Sequence, residues 1–122
     1  MLQEEKAIKP YMYIEALEND LTVSLSTNAI EYSLDGRTWN TLPANTASPA
    51  INTGDKLYFK GELTPASSVG IGTFTLSKKC NAGGNAMSLL FGDNFENQYS
   101  LQGKNYAFYA LFKGCANLEG VS

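Results

Sequence analysis

The sequence predicts a mainly β fold: an antiparallel, sandwich-like domain followed by one short helix. Three observations lead there. Apolar and polar residues alternate in Leu21-Thr-Val23-Ser-Leu25-Ser and again in Gly72-Thr-Phe74-Thr-Leu76-Ser77, the pattern of a strand with one dry and one wet face. Strand-forming segments recur at spacings of about ten residues, separated by Gly, Asp and Asn turns. A convincing helical period occurs only over residues 106–113.

Residues 1–10 form a charged lead-in, 11–104 the β domain, and 105–122 the helix and the opening of a repeat array. Tyr11-Met-Tyr13-Ile-Glu-Ala-Leu17 is rich in strand formers, and Asn19-Asp20 supplies a turn before the alternating 21–26 segment. These two segments are expected to pair as a hairpin. A second hairpin is expected from Ala29-Ile-Glu-Tyr32-Ser33 and Thr38-Trp39-Asn-Thr-Leu42. Asp35-Gly36 between them predicts a tight type I′ turn, because both residues tolerate positive φ. Ser33-Leu-Asp35-Gly36-Arg-Thr38-Trp39 also resembles a shortened Asp-box, S-x-D-x-G-x-T-W, one residue short of its spacing. In that motif the residues brace a turn and do not catalyse, and Trp39 is expected in the core.

Residues 43–52 read as a loop, Thr53-Gly54-Asp55 as a turn and Lys56-Leu57-Tyr58-Phe59-Lys60-Gly61 as a strand. A small, polar loop over 64–70 leads to the alternating 72–77 strand. Cys80 to Asn85, with Gly83-Gly84, reads as a break. Ala86-Met87-Ser88-Leu89-Leu90-Phe91 reads as a short strand buried on both faces. Asp93, Asn94 and Glu96 lie close enough to ligate calcium, but the twelve-residue calcium-loop pattern is absent. A capping turn, with Asp93 accepting backbone N–H bonds, fits better. Asn105 is a good N-cap and Gly114 a good C′ residue for the helix. Apolar side chains on more than one side of that helix require cover from two directions. The expected core includes Trp39, Phe59, Phe74, Leu89 and Phe108.

Composition narrows the function classes. The chain has 122 residues, a net charge of −3 and no histidine. Without histidine the commonest general base and metal ligand are missing, and Ser-His-Asp and Cys-His nucleophile systems are excluded within this chain. Lys78-Lys79 is the only adjacent basic pair, which argues against a nucleic-acid partner. No apolar run is long enough to insert in a membrane as a helix, and residues 1–6 lack the apolar stretch of a signal peptide. Cys80 and Cys115 are too few for a disulfide framework and leave a single bridge open. No catalytic, metal or cofactor-binding pattern is present, and the chain is expected not to be an enzyme.

Beyond the helix, Phe112, Cys115, Leu118 and Val121 recur every third residue, as at the start of a solenoid. Ala107-Phe-Tyr-Ala-Leu-Phe-Lys-Gly-Cys115-Ala-Asn-Leu118 resembles the first unit, F-x-x-C-x-x-L-x-x-V, of the BspA-like leucine-rich repeats of Bacteroidetes surface proteins. The match covers about fifteen residues. Upstream, Glu31-Tyr-Ser-Leu-Asp-Gly-Arg-Thr-Trp39, Leu57-Tyr-Phe-Lys-Gly61, Gly70-Ile-Gly-Thr-Phe74 and Gly84-Asn-Ala-Met-Ser-Leu-Leu-Phe-Gly-Asp-Asn-Phe95 resemble the β domain that precedes such repeats in gut-bacterial and related phage proteins. Cys80 departs from that pattern. The resemblance implies display on a cell surface or virion and adhesion to a host glycan or protein. A purely structural cap or spacer is the alternative. A two-carboxylate glycosidase is a remote third, with no catalytic residues to carry over. A truncated repeat array also predicts partial exposure of Phe112, Leu118 and Val121, and self-association through the C-terminal segment.

Overall fold

Strand alternation sets the layers. The computed structural model describes residues 9–26, 28–63, 72–85, 87–93 and 117–121. Among these it contains β1 (Met12–Ala16), β2 (Val23–Leu25), β3 (Ile30–Ser33), β4 (Asn40–Leu42), β5 (Lys56–Lys60), β6 (Phe74–Leu76), β7 (Cys80–Gly83), a helical turn α1 (Ser88–Phe91) and β8 (Leu118–Val121). They form a six-stranded sheet of order β4-β3-β5-β1-β7-β8 and a two-stranded sheet, β2-β6. β7 and β8 pair in parallel, and the other strand pairs run antiparallel. The domain is therefore mainly antiparallel β, as expected, and sandwich-like.

One core lies between the sheets. Met12, Ile14 and Ala16 of β1, and Leu57 and Phe59 of β5, meet Val23 and Leu25 of β2 and Phe74 and Leu76 of β6 there. The Phe59 and Phe74 rings are 5.3 Å apart across it. Full burial of side chains of this size stabilises by about 1.5–3 kcal/mol each, so this cluster holds the layers together. Phe59, Phe74 and Leu89 are buried as expected; Phe108 lies outside the described residues.

Four expectations are corrected. The segments around Tyr13 and Val23 do not form a hairpin. β1 pairs with β5 and β7, and β2 with β6; the strand formers of one segment and the alternation of the other carry no information about their partners. The expected break at 80–85 contains β7. Its glycine is accommodated because the Tyr13 ring lies over Gly83, directly opposite in the ladder, where a Cβ would collide with it. The expected strand over 86–91 is instead the helical turn α1. The Asn85 side chain accepts the Met87 N–H at 2.9 Å, its carbonyl accepts the Ser88 N–H, and the Met87 carbonyl then accepts from Leu90 and Phe91. Trp39 is half-buried and outside the core. With Leu42 inward opposite Ile30, the period of two places Thr41 and Trp39 on the opposite face.

α1 closes the end of the six-stranded sheet. Its Ser88 and Leu89 carbonyls accept the Gly61 and Leu63 N–H groups, and the Gly92 N–H returns to the Gly61 carbonyl. The fully buried Ser88 hydroxyl accepts from the Met12 N–H at 3.1 Å and donates to the Phe59 carbonyl at 2.8 Å. Met12 and Phe59 face each other across the ladder, so this hydroxyl bonds both members of one ladder pair. Cys80 is a buried thiol, with Sγ 3.9 Å from the Asn117 carbonyl.

Three of the four sheet edges are covered or blunted. The 45–51 segment runs along β2, with Asn45 donating to Leu25, Ser48 to Val23, and Leu21 and Ile51 exchanging both bonds. At β6, the Asn117 side-chain amide donates to the Leu76 carbonyl at 2.8 Å. β4 is three residues long and runs into Pro43, which lacks the N–H to extend a ladder. The fourth edge is the outer side of β8.

Candidate functional site

The outer face of the six-stranded sheet carries a band of aromatic and lysine side chains. Alternation places it there: as β1 and β5 turn Ile14 and Leu57 inward, they turn Tyr13 and Tyr58 outward. Tyr13 and Tyr58 meet edge-on at 6.1 Å and 66°. Tyr11 and Trp39 meet edge-on at 4.7 Å and 69°. Lys56 Nζ lies 4.5 Å from the Tyr13 ring centre and Lys60 Nζ 4.5 Å from that of Trp39, both within cation–π range.

Asp93 ties this band to the end of α1. Its carboxylate accepts the Tyr11 hydroxyl at 2.7 Å and the Lys60 ammonium at 3.0 and 3.1 Å. Lys9 Nζ donates to its backbone carbonyl at 2.8 Å. The Tyr11 hydrogen bond, then that of Lys60, holds the Asp93 carboxyl below the usual carboxylate range. Among the described residues the partners of its carboxylate are the side chains of Tyr11, just before β1, and Lys60 of β5; the N–H groups that Asp93 is expected to cap lie outside the described residues. Asn94 and Glu96 lie outside the described residues. Among the described residues no His, Cys, Asp and Glu side chains cluster in a way that could hold a metal ion.

Asp35, Gly36 and Trp39 occupy the β3–β4 connection. Asp35 Oδ1 accepts the Arg37 and Thr38 N–H groups, each at 2.8 Å, and the Ser33 hydroxyl at 2.8 Å. Ser33 Oγ in turn accepts the Gly36 N–H at 2.8 Å. These contacts, the Thr38 N–H foremost, hold the Asp35 carboxyl down at about 2. Gly36 has φ of 76°, whereas Asp35 is not at positive φ. The type I′ expectation is thus corrected: the connection from Ser33 to Trp39 is a wider loop wound around one carboxylate. What that carboxylate does here is structural, since Ser33, Arg37 and Thr38 all belong to the loop itself.

Of the spaced C-terminal residues, Leu118 opens β8 and packs, half-buried, against the core. Val121 ends β8. Phe112, Cys115 and the expected helix over 106–113 lie outside the described residues, as does the expected boundary at 104/105. A small open groove of about 170 Å³ is lined by Ala29, Ile30, Glu31, Thr41 and 61–63.

Ser88 and the Tyr11–Lys60–Asp93 group are not legible as sites in the sequence. The partners of Ser88 lie 76 and 29 positions away, and no local spacing signals them. Asn117 differs: an Asn before a strand is a recognisable backbone-bonding signal, and it accepts the Cys80 N–H at 3.0 Å while donating to Leu76. No protein family, curated protein or solved structure matches the chain.

Proposed function

We propose that the chain is a non-catalytic adhesion or binding module, displayed on a cell surface or virion, that caps a leucine-rich-repeat array and presents its loops to a host glycan or protein. The observation that carries this reading is β8. An otherwise antiparallel sheet ends in a strand parallel to its neighbour, and that strand begins and ends on Leu118 and Val121, two positions of the repeat spacing. Parallel neighbours need a crossover connection, and solenoid repeats bury their apolar faces by stacking on one another. A parallel strand at the end of the sheet order is consistent with a junction to such an array.

The test is a chain lengthened by several F-x-x-C-x-x-L units, folded by circular dichroism and applied to immobilised glycans and host surface proteins. Saturable binding that is lost when the loops over 43–52 and 64–70 are replaced supports the reading. A folded, extended chain that binds nothing supports the purely structural cap instead. One observation favours that second reading. The two ring pairs meet edge-on, and Trp39 and Tyr13 each carry a lysine on the ring, so these pairs form no coplanar platform for a sugar.

A further inference from the structure

We infer that Asp35-Gly36 is a guarded isomerisation site: the closed β3–β4 loop keeps the Asp35 carboxyl from cyclising onto the Gly36 nitrogen, and removal of the Ser33 hydroxyl opens the pair to that reaction. The dipeptide suits the chemistry, because the second residue has no side chain to shield its amide nitrogen. The reaction needs only this chain and water. The Gly36 nitrogen loses its proton and bonds to Asp35 Cγ. One carboxyl oxygen leaves as water, taking up that proton and the proton of the neutral acid. Water then adds to the cyclic imide and reopens it. Cleavage between the nitrogen and Cγ restores aspartate. Cleavage between the nitrogen and the main-chain carbonyl carbon leaves an isoaspartyl linkage, with an extra carbon in the backbone and no change in mass.

Both reacting groups are engaged in the fold. Gly36 is buried, and its N–H donates to Ser33 Oγ at 2.8 Å. Asp35 Oδ1 accepts the Ser33 hydroxyl and the Arg37 and Thr38 N–H groups, each at 2.8 Å. Ring closure abolishes the charge that these donors hold, so charge-assisted bonds are lost on the way to the imide. The same contacts, the Thr38 N–H foremost, hold the carboxyl down at about 2. Near neutral pH it is therefore ionised, and a carboxylate is a poor electrophile. Asp35 is itself exposed, so the guard is this set of hydrogen bonds and not exclusion of water. Ser33 joins its two halves. It is fully buried, accepts from Gly36, donates to Asp35, and accepts the Asp35 N–H at 3.2 Å.

The test follows isoaspartate at position 35 over time near neutral pH, by electron-transfer fragmentation of the peptide that contains it. The folded chain is compared with the same chain unfolded in guanidinium, and with folded Ser33→Ala. The folded chain is expected to isomerise at least about tenfold more slowly than the unfolded one, the effect of losing one charge-assisted bond before the transition state. Ser33→Ala, shown to be folded by circular dichroism, is expected to isomerise several-fold faster than the parent. A folded rate within about twofold of the unfolded rate overturns the inference. So does a folded Ser33→Ala that isomerises no faster than the parent. The first comparison requires no variant and decides the matter if Ser33→Ala does not fold.

Discussion

Ser88 carries a hydrogen-bond relay that no apolar residue can replace. Ser88→Ala removes the hydroxyl that bonds both the buried Met12 N–H and the Phe59 carbonyl, and losing a buried partner costs about 1–3 kcal/mol. Urea unfolding of the variant is expected to show a loss in that range; a loss below about 0.5 kcal/mol would mean the pair closes its own bond. Asp35 contributes to the acid limb of stability. Its folded value lies below its unfolded one, so its contribution is complete above about pH 4 and lost as pH falls through about 2. Asp93 acts in the same direction. Asp35→Asn is expected to flatten the fall in melting temperature between about pH 4 and pH 2, read by thermal melts across that window; an unchanged slope would remove Asp35 from the acid response. The residue roles legible from sequence are those with local chemistry. Ser33, Asp35 and Gly36 announce a turn because their partners lie within a few positions. Ser88 and Asp93 announce nothing, because their partners come from strands elsewhere in the chain.

At the scale of the element, Gly36 is required by its φ of 76°. Gly36→Val places a β-branched residue in the left-handed region and is expected to cost roughly 1 kcal/mol or more; unchanged thermal stability would reject the loop geometry. Strand existence is readable wherever one face is wet, as in β2 and β6, since alternation is then enforced by solvent. The apolar run from Met87 to Phe91 has no such period, and a short apolar run fits strand or helix equally. The Asn85 side chain decides the matter by turning the chain at Met87. Trp39 departs from expectation for a different reason: its size suggests burial, but parity with Leu42 outranks size once the strand is paired.

For the whole molecule, the array reading makes a thermodynamic claim. Adding repeats beyond residue 122 is expected to raise the melting temperature by roughly 5 °C or more. An extended chain that melts no higher would leave a self-sufficient β domain. Fold class is legible in the sequence, since many short segments of period two leave few alternatives. Sheet order is not, because strand partners are chosen by the shared core. That order also imposes a timetable. Among the described residues the earliest strand, β1, sits inside the sheet, between β5 and β7, and its neighbours begin at Lys56 and Cys80. β1 therefore precedes both of its sheet partners in the chain by long stretches, whereas β3 and β4 are joined directly by the loop around Asp35. Closure of distant pairs is slow, so the local hairpin is positioned to nucleate folding, and the oldest strand is among the last to be enclosed.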